Sequence, residues 1–143
     1  MNLPATALLP DPCDLLAALC KAGGDPLRLK VLRALANDSF GVLELAQIFA
    51  TGQSGMSHHL KVLAQAGLVA TRREGNAIFY RRSLPQGALH AALLEEVEAL
   101  ALEPAEQARV AAVHARRAEA SREFFARMAA SFQAQQDLIA SLG

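Results

Sequence analysis

The 143-residue sequence has no tryptophan, one tyrosine, two cysteines and no net charge at neutral pH. Few aromatic residues within a hydrophobic content of 52%, largely alanine and leucine, favour packed helices over a sandwich of short strands. No apolar run approaches the roughly 18 to 20 residues that span a bilayer, so we expect a cytoplasmic protein with no membrane partner. The length suits one ordinary domain.

The zero net charge conceals an uneven distribution of charge along the chain. Residues 21–82 contain nine lysines and arginines against four acidic residues, whereas the rest of the chain contains five against ten. The electrostatic field near a surface depends on local clustering over roughly a Debye length. The basic segment can therefore attract the phosphates of a nucleic acid although the whole chain is neutral.

The two cysteines, Cys13 and Cys20, lie on the first predicted helix. Seven residues of helix would separate them by about 10 Å along the axis, which is beyond the reach of a disulfide within one chain. We favour buried small apolar residues as their role. The alternative is a thiol sensor. Its cysteines would either pair between two chains on oxidation or capture a soft metal or metalloid.

Apolar side chains recur at helical spacing in four segments, approximately residues 12–22, 26–36, 41–49 and 53–66. Asp25 followed by Pro26 is typical of a helix start, and Gly67 is typical of a helix end. Only Ala50, Thr51 and Gly52 separate the third segment from the fourth. Two helices joined by such a short turn with a glycine form a helix-turn-helix.

The next segment, residues 68–83, changes from helical to strand-like periodicity, with β-branched and aromatic residues on both sides of a turn at Glu74, Gly75 and Asn76. This pattern predicts a β-hairpin that carries four arginines: Arg72, Arg73, Arg81 and Arg82. A helix-turn-helix followed by a basic hairpin is a winged helix. A hairpin needs only a charge or two for solubility, so four arginines favour contact with DNA.

The fourth helix carries a polar side that is suited to reading DNA. Its polar residues alternate with Met56, Leu60 and Leu63, so they point away from the core and toward a groove: Gln53, Ser54, Ser57, His58 and Lys61. A glutamine can pair bidentately with adenine, a serine can bind a base or a phosphate, and a lysine neutralises a phosphate. The alternative is an ordinary amphipathic helix whose polar side faces solvent and binds no DNA. The arginines of the neighbouring hairpin make this alternative less favoured.

Residues 25–84, and especially QSGMSHHLKVLAQAGLV followed by RREGNAIFYRRSL, resemble the ArsR family of bacterial repressors. The resemblance implies a homodimer joined through its first and last core helices, bound to an imperfect inverted repeat in a promoter and released by an inducer. It assigns DNA reading to the polar positions Gln53, Ser54, Ser57 and His58. It places Arg72, Arg73 and Arg81 at the positions of the wing that contact DNA.

Four positions depart from the residues that are common in that family: Ala50, Gly52, Gly55 and Asn76. Ala50 stands where a turn glycine is common in similar chains. His59 occupies a position that usually faces inward, so we expect packing or a structural hydrogen bond there and not a contact with a base.

The predicted fold is mostly α, a winged helix-turn-helix with a two-stranded β-hairpin wing and flanking dimerisation helices. We divide the chain into an irregular N-terminal arm (residues 1–12), a DNA-binding and dimerisation domain (13–102) and a C-terminal helical extension (103–143). An apolar helix over 86–102 ends at Glu103 and Pro104, and a second runs over 105–142 with Arg117 on its polar surface. The extension is expected to wrap the dimer core, or to provide further dimer surface or an apolar ligand pocket.

The common metal sites of similar repressors are missing from the sequence. One class of metal sensor has a Cys-x-Cys pair on the helix before the turn, where this chain has Gly41 and Leu43. Another has Asp and His ligands on the helix after the wing, where His90 has no spaced partner. We therefore expect no such metal site, no cofactor and an unidentified small inducer.

Two other classes of function compete with a DNA-binding regulator. An enzyme is not expected, because the sequence has no glycine-rich phosphate loop, no paired acid and base and no activated nucleophile. A winged helix that only binds other proteins is the second alternative. Such a module would show no salt-dependent affinity for duplex DNA.

Overall fold

A computed structural model describes residues 11–142, and most of the predicted N-terminal arm lies outside that range. In chain order the elements are α1 (Pro12–Ala22), α2 (Pro26–Ala34), α3 (Val42–Ile48), α4 (Gln53–Gln65), β1 (Val69–Glu74), β2 (Ala77–Arg82), α5 (Ala88–Glu98) and α6 (Pro104–Leu142). The strands pair antiparallel as a hairpin. The predicted mostly helical fold with a two-stranded wing is confirmed.

Local side-chain contacts explain where the first three helices begin. The carboxylate of Asp11 accepts a hydrogen bond from the backbone N–H of Cys13, and that of Asp25 accepts one from Arg28. At α3 the roles are reversed, since Glu44 reaches back to the backbone N–H of Gly41 over 2.9 Å. Each contact satisfies a backbone donor that the first turn of a helix leaves unpaired.

The core is formed where α2, α3 and α4 meet the base of the hairpin and the two following helices. Fully buried side chains come from each of these elements, including Leu32, Leu45, Leu60, Leu68, Val97 and Val113. Val113 belongs to α6, so the beginning of the C-terminal extension packs into the same core as the winged helix. The register of the hairpin sets Val69 opposite Arg82, and Phe40 adds an isolated bridge to Tyr80.

The helix predicted over 86–102 is shorter than expected. It begins after Gly87 and ends at Glu98, where the N–H of Leu100 donates to Val97 and tightens the last turn. The carbonyl of Leu100 then accepts a hydrogen bond from Arg33 of α2, which holds the connection to α6 against the body. Between residues 11 and 142, no helix combines the length and apolarity needed to cross a membrane.

Candidate nucleic-acid interface

The fourth helix divides into a buried side and an exposed side. Met56, Leu60 and Leu63 are 0% exposed and pack toward α1, α2 and α3. All five polar residues singled out on this helix are exposed: Gln53, Ser54, Ser57, His58 and Lys61. The hydrophobic core therefore holds α4 so that one continuous polar side faces solvent.

The turn that precedes α4 has an unusual backbone conformation. Ala50 has a φ of 51°, and it is the single non-glycine residue with positive φ among residues 11–142. This conformation costs an alanine about 1–2 kcal/mol, because Cβ crowds the backbone. The turn is closed by a hydrogen bond of 3.0 Å from the N–H of Thr51 to the carbonyl of Ala46.

The hairpin presents its arginines on both of its faces. The register sets Arg81 opposite Ala70 and Arg72 opposite Phe79, so Arg72 and Arg81 share one face. Arg73 lies on the other face, opposite Ile78. Arg72 forms an exposed ion pair of 3.0 Å with Glu74, whereas within the described range no ion pair involves Arg73 or Arg81.

Arg82 has a different role from the other hairpin arginines. Its side chain is only 17% exposed, and its guanidinium bonds to Glu98 of α5 and to the carbonyl of Leu32 of α2. It therefore fixes the base of the hairpin to the body. Of the four arginines in the sequence pattern, three remain on the exposed wing: Arg72, Arg73 and Arg81.

His59 takes part in a hydrogen bond inside the protein, as its inward position predicted. Arg28, itself 9% exposed, donates from Nη1 to Nδ1 of His59 over 3.1 Å. The same guanidinium donates from Nε to the carbonyl of Ala22 and from Nη2 to that of Lys21. Sequence reasoning did not single out Arg28, because an arginine in an amphipathic helix gives no indication of its partners.

The beginning of α6 is fastened to α3 by Arg117, which the sequence pattern placed on a polar surface. Arg117 bonds to Glu44 and to the carbonyl of Ser39, and its guanidinium lies 5.0 Å from the centre of the Phe40 ring. Burial tends to raise the pKa of Glu44, but the hydrogen bonds from Arg117 and Gly41 outweigh it and lower that pKa. These contacts hold the extension against the first helix of the helix-turn-helix.

The first helix exposes both cysteines and part of its apolar side. Cys13 and Cys20 are exposed, so their predicted burial is wrong within a single chain. Leu15 and Leu16 are each about half exposed, and α5 adds the exposed Leu89 beside them. In the part of the chain that the structure describes, no cluster of three or more His, Cys, Asp or Glu side chains could hold a metal ion.

The buried histidine of α5, His90, has one hydrogen bond. Its Nδ1 accepts from the backbone N–H of Gln86 over 3.2 Å, and burial followed by the charge of Arg82 lowers its pKa. The neutral ring is therefore favoured in the folded chain.

An α-helix with an exposed polar side, supported by a helix-turn-helix and flanked by a basic hairpin, defines a winged-helix DNA-binding protein. Residues 24–72 match a family model named "Helix-turn-helix domain". An HTH-type transcriptional regulator of Methanocaldococcus jannaschii, itself uncharacterized, is 43% identical over 65 residues, which are 45% of this chain and 73% of the relative. The biofilm growth-associated repressor of Xylella fastidiosa is 42% identical over 65 residues, which are 46% of this chain and 57% of that repressor.

A solved structure shows the same fold. It is the homodimeric winged helix-turn-helix DNA-binding domain of a Mycobacterium bovis protein, a possible ArsR-family transcriptional regulator. The TM-score is 0.52 at 30% identity, with 68% of this chain and 85% of that chain covered. The chain belongs to the ArsR family of winged-helix transcriptional regulators, and the resemblance found in the sequence is confirmed.

Proposed function

We propose that this regulator is a homodimeric repressor that binds an inverted-repeat operator in the cytoplasm and leaves it when a small inducer binds. The observation that carries the proposal is the exposed polar side of α4, which lies opposite three fully buried side chains of the same helix. Binding and release of DNA requires no catalytic step. The similar protein from Xylella fastidiosa is a repressor, which supports repression over activation.

In this proposal α4 is the helix that enters the major groove. Its exposed side chains and its N-terminal end have separate tasks. Gln53, Ser54, Ser57 and His58 read base edges in the major groove, and Lys61 neutralises a phosphate. Gly52 caps α4 without a side-chain acceptor, so the first N–H groups of the helix are not occupied by a capping side chain. Such groups, together with the helix dipole, favour a phosphate at the start of the helix.

The wing supplies contacts that do not depend on base sequence. Arg73 and Arg81 are exposed, with no ion pair within the described range, and Arg72 is held only by an exposed contact with Glu74. An exposed ion pair contributes little, so a phosphate can replace it with small loss. All three arginines are therefore assigned to the DNA backbone.

A second copy of the chain would cover α1 and α5. Leu15 and Leu16 are 51% and 54% exposed and Leu89 is 46% exposed, and neighbouring apolar side chains of this kind commonly mark an interface. The homodimeric domain from Mycobacterium bovis, with the same fold, supports this assembly. The dimer would place two recognition helices on the two halves of an inverted repeat.

The exposure of Cys13 and Cys20 favours a second candidate, in which oxidation of these thiols controls DNA binding. Reagents reach exposed thiols far more easily than buried ones. In this version the cysteines of two chains pair across the α1 surface, or together capture a soft metalloid. The helix-turn-helix has the same task in both candidates.

Fluorescence anisotropy with labelled promoter DNA and a scrambled duplex, at two salt concentrations and with or without reductant, tests these proposals. Gln53→Ala should weaken promoter binding about tenfold or more with little effect on the scrambled duplex, and Gln65→Ala at the other end of α4 is its control. Arg73→Ala should weaken both duplexes and reduce the salt slope by about 1. Absence of DNA binding in both redox states would favour a protein-interaction module.

A further inference from the structure

The C-terminal part of α6 has an apolar side that is exposed to solvent in the single chain. Every residue from 118 to 142 is exposed, and this segment extends for about 37 Å. Its large apolar side chains are all at least half exposed: Phe124, Phe125, Met128, Phe132, Leu138, Ile139 and Leu142. A helix of this composition would be only marginally stable alone in water.

The spacing of the exposed side chains follows a heptad repeat. Steps of three and four residues alternate along the positions Ala118, Ser121, Phe125, Met128, Phe132, Gln135, Ile139 and Leu142. This period of 3.5 residues places one seam on a single side of the helix, as in a coiled coil. We call this set the α6 seam. Phe124 and Leu138 lie beside the seam and widen it.

We propose that the α6 seam packs in parallel and in register against the α6 seam of a second copy of this chain. Gln135 selects the orientation, because it is the single polar residue of the seam after Ser121. In a parallel pair the two copies of Gln135 face each other and their amides can share hydrogen bonds. An antiparallel pair of residues 125–142 would instead set Gln135 near Phe132 and leave the amide without a partner.

The charges of the same segment favour a second copy over a membrane or a nucleic acid. Residues 118–142 contain two arginines and three acidic residues, and no basic residue follows Arg127. A helix that lies on an anionic membrane or follows a phosphate backbone needs a basic polar side. Within residues 118–142 the positions beside the seam carry a single charge, Arg122, so two parallel copies of this segment meet little repulsion.

This pairing goes beyond the proposed repression, because the seam includes no residue of the α4 surface, the wing or the α1 and α5 surface. It can therefore be tested without DNA. All seam residues are exposed in the described chain, so substitutions there are expected to leave the winged helix folded.

The test is disulfide cross-linking of the full chain, with Cys13→Ser and Cys20→Ser as the background. Gln135→Cys places a thiol in the seam, and Gln133→Cys places one on the opposite side of the same helix as a matched control. Under a mild oxidant, Gln135→Cys should form covalent dimers roughly tenfold faster than Gln133→Cys, because only the seam brings the two Cβ atoms within disulfide reach. Equal rates at the two positions, or no cross-link at either, would overturn the proposal.

A second pair of variants distinguishes a packed seam from random collision. Phe132→Glu, added to Gln135→Cys, places a charge in the seam and should reduce the cross-linking rate to that of the control. Gln133→Glu, added in the same way, places the charge outside the seam and should leave the rate unchanged. An undiminished rate with Phe132→Glu would contradict the pairing, whether or not the protein binds its operator.

Discussion

Arg28 on α2 donates a hydrogen bond of 3.1 Å to Nδ1 of His59 on α4, and with its other donors it caps the last turn of α1. Because arginine can only donate, Nδ1 of His59 must be the acceptor. One buried guanidinium therefore connects the helix proposed to contact a second chain with the helix proposed to contact DNA. The position of α4 depends on this connection as well as on its buried apolar side.

Arg28→Met should lower the free energy of unfolding by about 2–3 kcal/mol, because the carbonyls of Lys21 and Ala22 lose charged donors at a mostly buried site. Urea unfolding at neutral pH measures this loss. Lys21→Met, at an exposed side chain of the same turn, should change stability by less than about 0.5 kcal/mol.

A double-mutant cycle with Arg28→Met and His59→Ala isolates the contact between the two side chains. We expect a coupling of about 1 kcal/mol, since the contact is only partly buried on the His59 side. Strictly additive losses would show that the cap on α1 accounts for the whole effect of Arg28.

Two adjacent arginines of β2 should respond in opposite ways to substitution. Arg82→Ala removes the contacts with Glu98 and Leu32 and should destabilise the fold by about 1–2 kcal/mol. Arg81→Ala removes an exposed charge, and should weaken binding to any duplex while stability stays within about 0.5 kcal/mol. Thermal unfolding and anisotropy on the same two variants provide the comparison. The assignment fails if Arg82→Ala weakens DNA binding without lowering stability.

The contact between α6 and α3 should weaken in acid. Burial would raise the pKa of Asp38 and of Glu44, but hydrogen bonds from His114 to Asp38 and from Arg117 to Glu44 outweigh it, so both lie below their ordinary values of 3.8 and 4.5. Each carboxyl binds fewer protons when folded, so its contribution to stability is present above those values and is lost as the pH falls through the lowered pKa. Unfolding of the wild type should become easier below about pH 4.5.

Arg117→Met identifies the source of that acid sensitivity. At pH 7 the variant should be less stable by about 1–2 kcal/mol, a range that allows for partial exposure of the ion pair. The difference from the wild type should shrink as the pH falls through the lowered pKa values, because the carboxyls then become protonated in both proteins. Arg122→Met, which loses only an exposed pair with Glu119, is the control. If the difference in stability does not change with pH, the contacts of Arg117 are not the source of the acid sensitivity.

The elements of the fold could be predicted from short-range chemistry in the sequence. Asp25 with Pro26 marked the start of α2, and Gly67 and Gly75 occur, as expected of glycine, where φ is positive. The polar side of α4 followed from its helical period alone. These features depend on residues within one turn of each other, so a single sequence contains them.

The contacts that fix the elements to one another could not be predicted in the same way. Arg28, Arg82 and Arg117 belong to the same residue type and look alike in the sequence, yet each bonds to a residue at least 16 positions away. Whether an arginine is free for DNA or bonded within the protein depends on these distant partners. The exposure of Cys13 likewise depends on what packs against α1, which helical spacing does not show.

Replacing Ala50 with glycine should stabilise the protein, unlike most alanine-to-glycine changes. Its φ of 51° costs alanine about 1–2 kcal/mol, whereas glycine adopts that conformation freely and loses about 0.5–1 kcal/mol through the greater freedom of the unfolded chain. The balance of these two effects is a gain of up to about 1.5 kcal/mol for Ala50→Gly. Ala64→Gly, at an exposed position inside α4, should instead lose about 1 kcal/mol.

Urea unfolding of the two glycine variants under identical conditions measures both effects, and the opposite signs are the decisive result. A loss of stability in both variants would mean that the turn before α4 does not hold Ala50 in the left-handed region. Promoter binding by Ala50→Gly should remain close to that of the wild type, because the substitution relieves strain while the hydrogen bond from Thr51 to Ala46 still positions the start of α4.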